Sequence, residues 1–142
     1  MDKIAIVYWS GTGNTEDMCK YVQEGAKSAG AEVNVFTADK FSASMVSQYT
    51  KFAFGCPSMG DEVLEEEVFE PMFTSVEKSL SGKKIAIFGS YGWGDGEWMR
   101  NWEQRCKNVG AVLVSGGVIA NETPNKAEAE DCRNLGSCLA KN

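Results

Sequence analysis

The sequence predicts an α/β fold, a doubly wound five-stranded parallel sheet in the order 2-1-3-4-5. Three observations support this prediction. Apolar runs rich in β-branched and aromatic residues alternate with stretches of helical periodicity, so the element order reads βαβαβαβαβ. Several of these runs are apolar at every position, which is typical of parallel strands covered by helices on both faces. The length of 142 residues corresponds to one domain, which we assign to residues 1–142.

The first strand and the first helix have the clearest patterns. Residues 4–9 form a continuous apolar run, and a stretch with one apolar helical face follows it. The residues of that face recur at helical spacing and are Met18, Tyr21, Val22, Gly25 and Ala26. Gly30 follows them, and we expect it to end the helix.

The later elements are shorter and less regular. Further strands are predicted at residues 33–36, 52–55, 85–89 and 112–120. A short second helix is predicted near residues 42–49. Pro71 and Pro124 are expected in the first turns of two later helices, and Thr123 is the expected N-cap of the last one.

Composition excludes several classes of function. The five cysteines are odd in number and include no Cys-x-x-Cys pair. This argues against a disulfide framework, a zinc ribbon and a cysteine-ligated iron–sulfur cluster, so most of the cysteines are expected to be buried free thiols. Because the chain has no histidine, Ser-His-Asp catalysis and most transition-metal sites are excluded, and no metal ligand is assigned.

Charge and hydropathy indicate the surroundings in which the protein works. Fourteen basic and twenty acidic residues give a net charge of −6, which repels nucleic acid and anionic membranes and favours a basic protein partner. No stretch approaches the roughly eighteen consecutive apolar residues of a membrane span, and the N-terminus does not resemble a signal peptide. We therefore expect a soluble, cytoplasmic monomer.

The loop after the first strand has the composition of a phosphate-binding loop, Ser10-Gly11-Thr12-Gly13-Asn14-Thr15. The first N–H groups of a helix lack intrahelical partners, the helix dipole attracts anions, and glycine lets the chain approach an anion closely. The loop lacks the lysine of an NTPase P-loop, and Glu16 stands where the dinucleotide fingerprint needs its third glycine. A single terminal phosphate is the predicted ligand, and an ordinary polar turn is the alternative.

Two further loops are expected at the same edge of the sheet. The third strand is followed by Cys56-Pro57-Ser58-Met59-Gly60-Asp61-Glu62, and the fourth by Ser90-Tyr91-Gly92-Trp93-Gly94-Asp95-Gly96. In the predicted topology, strands 1, 3 and 4 end where the winding reverses, which is where such sheets bind ligands. Met59 and Trp93 could enclose a flat aromatic ring between them. Alternatively, Met59 is a core residue and Trp93 packs on its own domain.

Taken together, three segments resemble a known family. The runs KIAIVYWSGTGNTE, GCPSMGDEVLEE and FGSYGWGDGEWM are similar to those of short-chain flavodoxins of anaerobic, clostridial-type bacteria. The resemblance covers essentially the whole chain, and the fifth strand lacks the insertion that marks the long-chain class. It implies a flavodoxin-like fold and one non-covalently bound FMN. It also implies a low-potential one-electron carrier, not an enzyme, that shuttles between semiquinone and hydroquinone forms.

The resemblance also implies a role for each loop. Residues 10–15 would hold the FMN phosphate, Met59 would cover the inner face of the isoalloxazine, and Trp93 would cover the outer face. Glu62 would accept a hydrogen bond from flavin N3–H, and the backbone of Gly60, Asp61 and Gly92 would meet the edge of the ring. Ser58 departs from the alanine usual in close relatives, which leaves the local hydrogen bonding open. The full set of predicted cofactor-binding residues is Ser10, Gly11, Thr12, Gly13, Asn14, Thr15, Pro57, Ser58, Met59, Gly60, Asp61, Glu62, Ser90, Tyr91, Gly92, Trp93 and Gly94.

Gly60 and the acidic residues near it are expected to set the redox behaviour. Because Gly60 tolerates positive φ, the peptide after it can turn its carbonyl toward flavin N5–H on reduction. Six carboxylates and no base lie within residues 61–70, and Asp95 and Glu97 lie on the next loop. Negative charge beside a buried ring disfavours the anionic hydroquinone. For residues 65–67 the alternative is a solvated helix start.

The acidic loops predict partners with basic docking faces, and the resemblance implies that these are redox proteins such as ferredoxin-type donors and acceptors. Two other functions fit parts of the sequence. An FMN-dependent NAD(P)H:quinone reductase on the same fold would need room beside the flavin, where Trp93 is expected. A non-redox phosphate-binding or response-regulator-like domain would need clustered aspartates after the first strand, where Trp9 and Ser10 stand.

Overall fold

The computed structural model describes residues 2–142 and contains the predicted alternation of strands and helices. The strands are β1 (Lys3–Tyr8), β2 (Glu32–Thr37), β3 (Lys51–Gly55), β4 (Lys84–Tyr91), β5 (Val112–Leu113) and β6 (Val118–Asn121). The α-helices are α1 (Asn14–Ser28), α2 (Phe69–Val76), α3 (Glu97–Asn108) and α4 (Lys126–Lys141). Three 3₁₀ segments span Ala38–Lys40, Ala43–Gln48 and Glu77–Leu80.

The sheet is parallel, with the strand order β2-β1-β3-β4-β5, and β6 pairs with β4 as well. In the register of its centre, Ile6 of β1 lies between Val35 of β2 and Ala53 of β3. This confirms the predicted order 2-1-3-4-5. The winding reverses between β1 and β3, so the loops that follow β1 and β3 leave the same edge of the sheet on neighbouring strands.

The predicted continuous strand at 112–120 is wrong, because the chain leaves the ladder between β5 and β6. β5 pairs with the start of β4, and β6 pairs with its end. Between them, the Gly117 N–H donates to the Glu103 carboxylate of α3 at 2.6 Å. A Cβ on Gly117 would overlap the Met99 side chain, so a larger residue here would require Met99 to shift.

The prediction of a second α-helix is also wrong. Near residues 42–49 the chain forms the 3₁₀ segment Ala43–Gln48, not an α-helix. This short segment buries Val46 and carries little apolar periodicity, which explains why a full helix does not form. Pro71, in contrast, lies in the first turn of α2 as predicted.

The last helix begins later than predicted, and its N-cap is Asn125, not Thr123. The Asn125 side chain accepts from the Glu128 N–H at 2.8 Å, and the Glu128 carboxylate accepts from the Asn125 N–H at 2.9 Å. This reciprocal capping box satisfies two donors at once, which a threonine N-cap at 123 would not do here. Pro124 therefore precedes the helix.

Helices cover both faces of the sheet. α1 and α4 pack on one face, and their close approach depends on Gly25 and Gly136, where a Cβ would overlap the backbone of the other helix. On the other face, α2 and α3 enclose an aromatic cluster that includes Phe52, Phe54, Phe69, Phe73, Trp98 and Trp102. Cys19, Cys56, Cys106 and Cys132 are buried free thiols, which confirms the prediction for most of the cysteines. No helix within residues 2–142 is long and apolar enough to cross a membrane.

Candidate functional site

A cleft of about 240 Å³ lies where the carboxyl ends of β1, β3 and β4 meet. Residues from all three predicted loops line it, namely Ser10, Gly11, Thr12, Asn14, Thr15, Pro57, Ser58, Met59, Ser90, Tyr91 and Gly92. The other predicted residues are on the same loops, outside the cleft wall: Gly13, Gly60, Asp61, Glu62, Trp93 and Gly94. The structure thus brings the three loops together at the point where the winding reverses.

The loop between β1 and α1 leaves hydrogen-bond donors free for an anion. The Ser10 Oγ accepts from the N–H groups of Gly13 at 3.1 Å and Glu16 at 3.2 Å, so its own proton is available for donation. Gly13, the N-cap of α1, has a φ of 97° and no side chain of its own to cap the helix, so Ser10 supplies the side-chain acceptor for the first turn, at the Glu16 N–H. Free first-turn N–H groups and the helix dipole suit an anion at this place. The residues present therefore fit a phosphate group.

Thr15 ties the same loop to β4. Its Oγ1 lies 2.9 Å from the Ser90 Oγ and accepts from the Ser90 N–H at 3.3 Å. Both side chains are buried, at 1% and 5% exposure. Burial and two polar contacts fix the position of the loop relative to the strand that carries the third loop. Thr15 therefore has a structural role in addition to the one predicted from sequence.

The loop after β3 folds into a hairpin. The N–H and C=O groups of Met59 bond to those of Val63 at 2.8 and 2.9 Å. In the turn, Gly60 has a φ of 51° and Glu62 a φ of 56°. The Ser58 N–H donates to the Ser90 carbonyl at 2.9 Å, which joins this loop to β4. The Met59 side chain remains 38% exposed at the cleft.

The loop after β4 contacts the hairpin through Glu62. The Glu62 carboxylate accepts from the Glu97 N–H at the start of α3, at 3.2 Å. Trp93 is 63% exposed and lies outside the cleft wall. Asp95 pairs with Arg100 at 2.9 Å, which holds the pKa of that aspartate below its usual range. Two large apolar side chains, Met59 and Trp93, are thus left exposed beside one cleft.

Sequence reasoning missed two residues that line the cleft, Trp9 and Glu122. Glu122 follows β6, has a φ of 58°, and donates its N–H to the Tyr91 carbonyl at 2.8 Å. Next to it, the Thr123 hydroxyl donates to the Asn14 side chain at 3.1 Å, which connects this fourth loop to the loop between β1 and α1. Sequence could have indicated Glu122 only through the topology. A strand that pairs in parallel with the end of β4 must end at the same edge of the sheet as β4, so the loop after it reaches the cleft.

The acidic run after β3 has a mixed role. The Glu65 carboxylate is buried and accepts from the N–H groups of Glu67, Val68 and Phe69 at 2.8, 2.8 and 2.7 Å. Burial alone would raise the pKa of Glu65, but these three hydrogen bonds hold it below its usual range. The alternative of a helix start is thus correct for Glu65, but this residue is buried, not solvated. It is therefore not available as a docking charge.

Glu70 is also engaged within the fold. Arg105 of α3 donates to both oxygens of this carboxylate at 2.8 and 2.7 Å, and to Glu77 at 2.8 Å. Burial would raise the pKa of Glu70, but the hydrogen bonds from Arg105 and Thr74 keep it low. The Arg105 guanidinium also lies 4.9 Å from the centre of the Phe73 ring. Of the six carboxylates in the run, at least two therefore serve the fold.

Comparison with known proteins identifies the family. The sequence profile described as flavodoxin matches residues 6–136. The chain belongs to the flavodoxin family. The flavodoxin of Megasphaera elsdenii is 45% identical over 138 residues, which cover 97% of this chain and 98% of that protein. The flavodoxin of Clostridium beijerinckii is 44% identical and covers 95% of this chain and 97% of its own length.

Solved structures of flavodoxins share the fold. The solution structure of two-electron reduced Megasphaera elsdenii flavodoxin superposes with a TM-score of 0.91 and covers 98% of this chain and 99% of that one. Oxidised flavodoxin 1 from Bacillus cereus superposes with a TM-score of 0.86 at 26% identity, over 99% of this chain and 98% of that one. As a short-chain flavodoxin, this protein binds FMN and carries electrons. These relatives do not favour the quinone reductase alternative.

Proposed function

We propose that this flavodoxin is a low-potential one-electron carrier that holds its FMN in the cleft described above, with the residues predicted from the sequence. The convergence of the three loops on one cleft carries the proposal. Each loop supplies one kind of contact that a flavin mononucleotide needs: anion donors, an apolar ring face, and backbone at the ring edge. The whole chain then acts as a single FMN-binding domain.

The β1–α1 loop is the proposed phosphate site. It offers backbone N–H groups, the Ser10 hydroxyl and the N-terminal dipole of α1, and it contains no cationic side chain. A cradle of this kind suits one terminal phosphate. Glu122 lines the cleft and Thr123 bonds to Asn14 on the β6 side, so we expect the second nucleotide half of FAD to be accommodated poorly there.

Met59 and Trp93 are the proposed contacts to the two faces of the ring. Both side chains are substantially exposed on the protein surface, although large apolar groups are usually buried. A flat aromatic ring placed against them would remove this apolar surface from water. Gly60 and Gly92 present backbone without side chains next to them, which allows close approach to the ring edge.

When bound, FMN supplies the one-electron chemistry, and the residues of the chain set its surroundings. The positive φ of Gly60 leaves the peptide after it free to present its carbonyl to the ring edge. Exposed carboxylates of Asp61, Glu66 and Glu67 lie on or just after the hairpin and disfavour added negative charge there. Together these features lower the reduction potential of the second one-electron step, so the fully reduced protein is a strong reductant.

The surface around the cleft suits a basic redox partner. Met59, Val63 and Trp93 are exposed and apolar, and exposed carboxylates such as those of Asp61 and Asp95 occur on the same loops. A ferredoxin-type donor or acceptor with a basic docking face would match this surface, and the carrier would act as a monomer without catalysis of its own. Its free thiols suit the reducing cytoplasm.

Calorimetric titration of the FMN-free chain tests the proposal. We expect one FMN per chain, with riboflavin bound more weakly because it lacks the phosphate, and FAD bound poorly. Equal affinities for FMN and riboflavin would contradict the phosphate site. An assay of NAD(P)H oxidation by the FMN-loaded protein separates carrier from enzyme, since a carrier should show no substantial turnover by itself.

A further inference from the structure

The backbone at Glu62 is unusual for a glutamate. Its φ of 56° lies in the left-handed region, which only one other non-glycine residue among residues 2–142, Glu122, also adopts. A side chain in this conformation is strained, so the surroundings must hold it there. The contacts of the side chain indicate what the strained backbone achieves.

The Glu62 carboxylate completes a helix that begins on another loop. Its Oε1 accepts from the N–H of Glu97, the first residue of α3, at 3.2 Å. The N-cap of α3 is Gly96, which has no side chain to accept from the first turn and a φ of 94°. A carboxylate at this position is favoured by the free N–H groups and by the helix dipole.

Gly94 makes the contact sterically possible. A Cβ on Gly94 would lie 2.5 Å from the Glu62 Cδ and Oε1, so the carboxyl group packs directly against the backbone of the loop that carries Trp93. Arg100 adds a positive charge on the same side. Its pKa is raised mainly by its hydrogen bond to Asp95, and the charge of Glu62 adds to this effect.

We propose that Glu62 is a positioning residue, a latch that fastens the Met59–Val63 hairpin to the N-terminus of α3 and sets the spacing between Met59 and Trp93 before the flavin binds. Oε1 is used by Glu97, so Oε2 remains available for the flavin N3–H that the family resemblance predicts. The benefit for the cofactor rests on the proposed function. The hydrogen bond between Glu62 and Glu97 is made within the chain and does not depend on FMN.

Amide hydrogen exchange of the whole chain, measured with and without added FMN, tests the latch. In Glu62→Ala we expect the Glu97 N–H to exchange about 3- to 10-fold faster, the effect of losing one hydrogen bond. Glu62→Gln keeps an acceptor oxygen and should stay near the wild-type rate. Glu66→Ala is the matched control, because Glu66 is exposed and its substitution removes the same charge from the same segment. Equal rates in Glu62→Ala and Glu66→Ala would overturn the proposal.

Glycine substitutions give a second, independent test. Gly94→Ala and Gly30→Ala impose a similar backbone cost, since the φ values are 88° and 95°, but a Cβ on Gly30 meets nothing within 4 Å. We expect Gly94→Ala to lower the unfolding midpoint more than Gly30→Ala does. In a Glu62→Ala background this excess should disappear. The proposed contact between Glu62 and Gly94 would be refuted if Gly94→Ala lowered the midpoint no more than Gly30→Ala. It would also be refuted if the larger effect of Gly94→Ala persisted in the Glu62→Ala background.

These readouts separate the latch from the proposed function. If the wild-type chain bound no FMN while the exchange and stability results appeared as expected, the cofactor site would be wrong and the latch would stand. If FMN bound to Glu62→Ala while the Glu97 exchange rate was unchanged, the latch would be wrong and the phosphate and ring-face contacts of the FMN site would stand.

Discussion

Thr12 and Thr15 lie on the same loop, but their surroundings give their hydroxyls different roles. Thr12 is exposed, whereas Thr15 is buried and bonded to Ser90. We expect Thr12→Ala to weaken FMN binding by about 1–2 kcal/mol, because a charge-assisted hydrogen bond is lost. Riboflavin affinity and the free energy of unfolding should not change. Calorimetry with both ligands measures this, and a parallel loss of riboflavin affinity would contradict a phosphate contact.

Thr15→Ala should instead affect both binding and stability. It leaves the buried Ser90 N–H without its acceptor, so we expect the free energy of unfolding to fall by about 1–2 kcal/mol together with FMN affinity. Thr15→Ser retains the hydroxyl and should recover most of both losses. Urea denaturation of the FMN-free chain checks the stability effect, and an unchanged midpoint in Thr15→Ala would reject the structural role.

Gly60 tests whether positive φ matters for redox behaviour. A Cβ at Gly60 would meet nothing within 4 Å, so a substitution there costs only backbone strain. For Gly60→Thr we expect a cost of about 1–2 kcal/mol in the left-handed conformation. If this conformation presents the carbonyl to the ring edge, the separation between the two one-electron potentials should change in Gly60→Thr and much less in Gly60→Asn, since asparagine tolerates positive φ. Identical potentials in the wild type and Gly60→Thr would reject the mechanism.

At the scale of single elements, Glu65 stabilises the start of α2. Its carboxylate accepts three backbone N–H groups, and Glu65→Gln removes the charge and one acceptor oxygen. We expect the free energy of unfolding at pH 7 to fall by about 1–2 kcal/mol. Glu66→Gln, at an exposed neighbour, should have little effect. Similar midpoints for the two variants would contradict the capping role.

The effect of Glu65 should depend on pH in a defined direction. Its pKa is lowered in the folded chain, so the folded state binds fewer protons than the unfolded state as the carboxylate titrates. The stabilisation is therefore complete above the unfolded value of about 4.3 and is lost as pH falls through the lower folded pKa. The difference between wild type and Glu65→Gln in urea denaturation should shrink below that value. If the stability difference between wild type and Glu65→Gln grew as the pH fell, the pKa of Glu65 could not be lowered in the folded chain.

How well each element could be predicted depends on where its determinants lie. Strands with continuous apolar cores, such as β1 and β4, carry their signal locally, because burial on both faces requires it. The break between β5 and β6 depends on Glu103 of α3 reaching Gly117, which no local pattern shows. Likewise, the role of Glu65 becomes visible only when the chain after β3 turns back to place three N–H groups around it.

At the scale of the whole molecule, strand order decided what could be predicted about the cleft. The loops after β1, β3 and β4 were recognisable because their sequences are unusual in themselves. Glu122 was not, since its loop is short and joins the cleft only because β6 pairs with the end of β4. The loop after β6 therefore forms a fourth side of the cleft, which composition alone did not reveal.

The distribution of charge over the whole molecule determines how a partner should approach. Glu65 and Glu70 serve the fold, so the docking charge that we propose near the cleft would come from exposed residues such as Glu66 and Glu67. The bound FMN phosphate, with about −2 charge, adds to this field. Steering by such a surface raises association rates by roughly 10- to 1,000-fold at low salt and is screened within about 10 Å at 0.1 M.

Electron transfer from a basic donor protein should therefore slow steeply as salt is added. In stopped-flow measurements, we expect Glu66→Lys and Glu67→Lys to flatten this salt dependence without releasing FMN. Glu32→Lys is the matched control, because it makes the same change in net charge at the start of β2, at the opposite edge of the sheet from the cleft. If Glu32→Lys flattened the salt dependence as much as Glu66→Lys, net charge alone would govern the encounter and the docking surface would not lie at the cleft. Transfer independent of ionic strength in the wild type would exclude electrostatic docking altogether.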